Sequence, residues 1–152
     1  MTTRITLVYD KLITEISALF PQKRRLLDPY NLTQNPERIL ADGWGLRKGS
    51  VDLALREFNT ITDAHNFTFI LTSELVRSET QINLVDDVVK SLAEDLFLFR
   101  ERIYRYDELG ITQDVTQIDM GSASGIEEII SGNGRFLTLS VEFTVHITES
   151  FM

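Results

Sequence analysis

The chain has no cysteine, only three prolines and two histidines, and no long apolar run. Without cysteine there is no disulfide and no thiolate metal site, and the absence fits a reducing compartment. No apolar stretch approaches the roughly twenty residues a helix needs to cross a bilayer, so no membrane partner is expected. Met1-Thr2-Thr3-Arg4 leads into an amphipathic pattern instead of an apolar signal core, so synthesis in the cytoplasm is expected. Basic residues are also in deficit. Fifteen Lys and Arg stand against 23 Asp and Glu, a formal net charge of −8. A nucleic-acid binder gains affinity by neutralising phosphates, and an acidic chain lacks that footprint. The basic groups Lys23-Arg24-Arg25 and Arg100, Arg102 and Arg105 read as solvated or interface charge.

The clearest positive signal lies at the end of the chain. Leu137, Leu139, Val141, Phe143, Val145 and Ile147 alternate with Thr138, Ser140, Glu142, Thr144, His146 and Thr148. Period two means one buried and one wet face, and Asn133-Gly134 just upstream is a hairpin turn signal. A strand over residues 135–150 is longer than the usual five or six residues. Such a strand is expected to reach past its own sheet and offer backbone groups to another chain.

Two helices are expected. Ile5, Val8, Leu12, Ile16 and Leu19 form an apolar stripe over residues 3–20, ended by Pro21. A longer helix begins after a capping box at residues 78–81 and ends near Gly110. Its stripe is Ile82, Val85, Val89, Leu92, Leu96, Phe99 and Ile103, widened by Val88 and Phe97. Residues 21–43 hold all three prolines and read as a long loop with a short helical turn at Asn35-Pro36-Glu37. Its apolar residues, among them Leu26, Leu27, Tyr30 and Leu32, need support from the domain itself or from a neighbouring subunit. Gly43-Trp44-Gly45 suggests tight turns around the only tryptophan. Strands are expected from Val51 onward, with a break near Thr62-Asp63-Ala64, and again over residues 115–122, followed by a small-residue loop or bulge at residues 121–125. The fold class is therefore α+β: one domain of two layers, a mainly antiparallel or mixed sheet with two amphipathic helices on one face.

No chemical constellation emerges. His65 is expected in a loop and His146 on the wet face of the last strand, with no nucleophile-elbow pattern. The pairs Asp86-Asp87 and Glu94-Asp95 fall between the stripe positions of the long helix, as a solvated face does. No catalytic residue, metal ligand or cofactor is expected, and the chain is not read as an enzyme.

The order of elements, with Ile39-Leu40-Ala41-Asp42-Gly43-Trp44-Gly45, Phe67-Thr68-Phe69-Ile70-Leu71 and the strand from Phe136 to Val145, resembles the tail terminator proteins of long-tailed bacteriophages, also called tail completion or head–tail joining proteins. That resemblance implies a small virion subunit, monomeric when free, that forms a hexameric ring with copies of itself on the head-proximal end of the tail tube. The ring would contact the tail tube protein, stop tube growth and present the joint to the capsid connector or stopper. DNA would pass through its lumen without specific binding, an acidic lumen repelling the phosphates. The residues expected at the assembly interface are Arg24, Arg25, Tyr30, Trp44, Arg47, Lys48, Arg135, Glu142 and His146. Within the same class, a tube protein or a stopper is the rival reading; outside it, a small-ligand-binding or regulatory domain is.

Overall fold

A computed structural model of the chain describes residues 3–30, 32, 42–75, 84–105, 115–131 and 134–150. The elements are helix α1 (Arg4–Leu19), strands β1 (Arg24–Arg25), β2 (Asp42–Arg56) and β3 (Thr60–Leu75), helix α2 (Leu84–Tyr104), and strands β4 (Val115–Ala123), β5 (Glu127–Ser131) and β6 (Gly134–Ser150). The fold is α+β, with two helices packed on a six-stranded, mixed and mostly antiparallel open sheet. The strand order is β1-β2-β3-β6-β4, with β5 also paired to β6. Only β1 runs parallel to its neighbour.

Phenylalanine builds the core between sheet and helices. Trp44 opposes Leu71, Leu46 opposes Phe69, and Phe67 opposes Phe143. Directly opposed residues share a face, so these six side chains all lie under the helices. A run of ring contacts joins the layers: Tyr9 to Phe67, Phe67 to Phe143, Phe143 to Phe99, Phe99 to Phe69 and Phe69 to Phe20. The tightest is the stacked pair Phe69–Phe99, 3.8 Å between centroids. Val8, Leu12 and Ile16 of α1, and Leu92, Phe99 and Ile103 of α2, complete this core. Thr3 caps α1, accepting the Thr6 backbone N–H. Arg102 of α2 holds Glu15 of α1 at 2.8 Å, and that hydrogen bond keeps the Glu15 carboxyl below its ordinary range.

Several sequence expectations are corrected here. The last strand is not an edge. All of it from Arg135 to Ser150 pairs with β3, and on its other side β4 and β5 lie end to end. Ser124 fills the gap between them, its backbone N–H donating to Ser140 O at 2.7 Å and its Oγ accepting from Ser140 N at 3.0 Å. Length placed β6 at the centre of the sheet, where its backbone groups are used up.

Gly43-Trp44-Gly45 is extended strand, not a turn. Gly45 serves close approach instead: a Cβ there would meet the Pro29 Cβ at 2.9 Å and Leu26 Cδ1 at 3.1 Å. No break occurs at Thr62-Asp63-Ala64; β3 runs through it, pairing with β2 and β6 on its two sides. Two-sided pairing outweighs the low strand preference of aspartate. The turn lies instead at residues 57–59, closed by a hydrogen bond from Glu57 N to Thr60 O at 3.0 Å. Phe97 does not widen the buried stripe of α2: it is 65% exposed, one residue and about 100° of helical rotation beyond half-buried Leu96. The capping box at residues 78–81, the stop at Gly110, the short turn at residues 35–40 and Asn133 of the hairpin turn lie outside the described residues.

Candidate functional site

The face of the sheet away from the helices divides into two halves. After β1 the chain crosses over the edge of the sheet, and the Leu26 N–H donates to Trp44 O at 2.7 Å. Leu26 and Leu32 then form a second apolar cluster with Ile70, against which Ile129 and Phe136 pack. Of the two supports expected for the loop, the domain's own sheet receives Leu26, Pro29 and Leu32, all buried, while Leu27 and Tyr30 stay exposed. Beside this strap lies a cavity of about 190 Å³, lined by Tyr30, Arg47, Ile70, Glu127, Ile129 and Thr138 among others.

The other half is bare and polar. A groove of about 460 Å³ runs over Asn66, Thr68, Glu142 and Thr144, between Ser50 on one side and Asp119 on the other. Asn66 organises its floor: its amide donates to Ser50 Oγ at 2.9 Å and Asp52 Oδ2 at 3.1 Å, and its carbonyl accepts from Thr144 Oγ1 at 2.6 Å. Asp119 accepts from the Gln117 amide at 2.6 Å and meets His146 Nε2 at 3.0 Å. The Gln117 hydrogen bond, and then His146, hold the Asp119 carboxyl below its ordinary range.

The third surface is the β2–β3 hairpin. Residues 49–59 are exposed throughout, and among the described residues no strand pairs with the outer side of β2 beyond Trp44. The hairpin nevertheless carries Val51, Leu53 and Leu55, and Phe58 at its tip is 101% exposed. Val51 and Leu53, opposite His65 and Asp63, share one face, and Leu55, opposite Thr62 after the bulge, lies on the other, so the hairpin shows apolar side chains on both faces.

The residues expected at an interface separate accordingly. Trp44 is 1% exposed and sits in the core, so its side chain has no surface to offer a partner; its apolar bulk drew it inward. Arg25 lies over its ring, 5.8 Å from the centroid, and Arg24 is exposed beside it. Tyr30 is half exposed, and its hydroxyl accepts the Lys48 backbone N–H at 3.1 Å, masking part of the β2 edge. Lys48 lies over the Phe67 ring at 5.4 Å, and burial draws its ammonium below the usual lysine range. Arg47 lines the strap cavity. Arg135 grips Glu128 through two nitrogens at 3.0 and 2.8 Å, which raises the guanidinium further. Glu142 and His146 are on the polar half-face, as alternation predicts. Tyr30 and Arg47 therefore share one site and Glu142 and His146 another, while Arg135 stands apart on β6.

His65 lies in β3 and not in a loop, 7% exposed, between Val51 and Val145. Its Nδ1 has no hydrogen-bond partner among the described residues. Burial first, and then the Lys48 charge, lower its pKa; Asp63 and Glu149 oppose this. The basic groups read as solvated or interface charge include a half-buried exception: Lys23 bridges Asp42 and Asp95, the latter at 3.3 Å. Sequence reasoning reads Phe58 as a strand residue with Leu53 and Leu55, where the structure has the hairpin turn, and passes over the Asn66 network. Phe58 stands in Arg56-Glu57-Phe58-Asn59, where charged and turn-favouring neighbours are the available hint of a tip. Asn66 gave no signal, since its partners come from β2 and β6. Neither the family models nor the curated proteins yield a match to this chain.

Proposed function

We propose that the chain is a structural subunit that works by contact with copies of itself and with neighbouring virion proteins, as the terminator ring at the head-proximal end of a long phage tail. The observation that carries this reading is the β2–β3 hairpin. The core is complete without Val51, Leu53, Leu55 and Phe58, yet the hairpin holds all four in water. A domain with no use for them gains nothing from exposed apolar surface on an open strand edge. Two further features support it. The net charge of −8 suits a ring through which DNA slides without adhering. Arg24, Arg25 and Arg47 have no carboxylate partner within the chain among the described residues, so they are available to set register across an interface.

The test is direct. Purified protein mixed with tail tubes of its own phage, viewed by negative-stain electron microscopy, should give a ring at one tube end and no elongation. Self-polymerisation into tubes would transfer the reading to a tube protein; binding to the capsid connector alone would make it a stopper. The polar groove of about 460 Å³ favours one rival, a small-ligand-binding domain, since its volume is that of a ligand site. Saturable binding of a polar metabolite together with bare tubes would establish that rival.

A further inference from the structure

Phe58 and the strap cavity are complementary, and they lie at opposite ends of the same sheet. Arg56 and Glu57, both exposed, immediately precede Phe58. The cavity is walled by Tyr30, Ile70 and Ile129, with Arg47 and Glu127 among its lining. Arg47 comes from the β2 side of the face and Glu127 from the β5 side. Thus an aromatic knob preceded by a cation and an anion can be set against a hole of mixed lining that carries an anion and a cation. Among the described residues none of these four charges has an opposite charge to pair with in its own chain. The hole, about 190 Å³, is large enough to take an aromatic ring, benzene needing about 150 Å³.

The knob cannot fill its own hole. Ile70 stands ten residues along β3 from Thr60, a separation of about 33 Å at the rise of a strand. We infer that Phe58 of one copy enters the cavity beside Tyr30 of the next, with Arg56 set against Glu127 and Glu57 against Arg47. Burial of the aromatic supplies the attraction, and the two charge pairs fix which way round the hairpin lies. Because knob and hole are different surfaces, the contact is head-to-tail. It closes into a ring where the rotation between copies closes, and otherwise continues as a filament. The contact itself stands on these two surfaces; its use in a terminal ring rests on the function proposed above.

The absence of cysteine makes the contact testable in the full chain, because each introduced thiol is the only one. Asn59→Cys places a thiol beside the knob and leaves Phe58 intact; Thr138→Cys places one in the hole, with Ser140→Cys as a second choice should the first disturb β6. Under mild oxidation the mixture of the two should give disulfide-linked dimers, and neither variant alone should. Adding Phe58→Ser to the Asn59→Cys chain should lower the linked fraction at least tenfold. Arg47→Glu in the receiving copy should also lower it, and Glu57→Lys in the donor should restore it. Linking that is absent with both thiol positions, unaffected by Phe58→Ser, or as strong for Asn59→Cys alone as for the mixture would overturn the contact. Tubes still capped by the Phe58→Ser chain would remove the contact and keep the terminator reading. Linked dimers with bare tubes would do the reverse.

Discussion

The two halves of β2 live under different conditions. From Gly43 to Leu46 the strand is buried, with β1 on its outer side, the helices on one face and the Leu26–Leu32 strap on the other. Beyond Lys48 the pairing with β3 shifts register twice and everything to residue 59 is exposed. Trp44 and Phe58, aromatic residues fourteen positions apart on one hairpin, are 1% and 101% exposed. The difference teaches that the same residue type does opposite work according to what the tertiary structure lays over it. The inner half is held by packing, the outer half by backbone pairing and the Asn66 bonds to Ser50 and Asp52, which leaves its apolar side chains available to others.

Substitutions in the two halves should separate stability from association. The largest effect belongs to the core that the inner half helps to cover. Phe69→Ala removes a ring stacked between Phe99 and Phe20 and should lower the unfolding free energy by about 3–5 kcal/mol. Denaturant titration checks this, and a loss well under 1 kcal/mol would show that the ring stack does not hold the layers together. Gly45→Val comes next. Its Cβ would overlap the Pro29 Cβ at 2.9 Å, so the strap must lift, with a loss of about 1–3 kcal/mol and faster proteolysis near Leu27. Unchanged proteolysis would mean that the strap accommodates the added carbon.

A pH dependence sharpens the boundary between the halves, where His65 lies opposite Val51. Burial lowers the His65 pKa below its ordinary value of 6.5, with Lys48 adding to the shift and Asp63 and Glu149 opposing it. Between the two values the unfolded chain binds the proton and the folded chain does not, so stability is full above pH 6.5 and falls as the pH drops toward the folded value. Denaturation midpoints should therefore fall between pH 7.5 and pH 5.5, and fall less in His65→Val. Parallel curves for the two proteins would contradict this. The smallest effect on stability should come from Phe58→Ser, within about 0.5 kcal/mol, because Phe58 is fully exposed and no described residue packs on it. A clear loss of stability there would place the hairpin tip in the core and end the comparison.

The elements with their own period were legible in the residues. The alternation from Leu137 to Ile147 named every buried residue of that run of β6, and the stripe Val8, Leu12, Ile16 named the inner face of α1. What could not be read was relation. Nothing in the alternation of β6 says whether its edges are open, and its length and position alone suggest a strand that reaches past its own sheet. Gly43 and Gly45 look like turn residues until Pro29 is seen lying on the strand. Phe97, Trp44 and Phe58 are all large and apolar, and only the neighbours decide which are covered. The interface residues fared likewise: Tyr30 and Arg47 come together at one cavity although seventeen positions separate them, and Glu127, in sequence only half of the acidic pair Glu127-Glu128, lines the same cavity.

Local periodicity determined that this chain makes two amphipathic helices and a sheet with one dry face, because a repeat of 3.6 or 2 fixes which side chains share a side whatever else surrounds them. The tertiary structure alone decided which strand is central, which edge stays open, and that a phenylalanine stands in water at one end of the sheet while a cavity holding Arg47 and Glu127 opens toward the other. Those are distances between residues remote in sequence, and pairing across the sheet sets them.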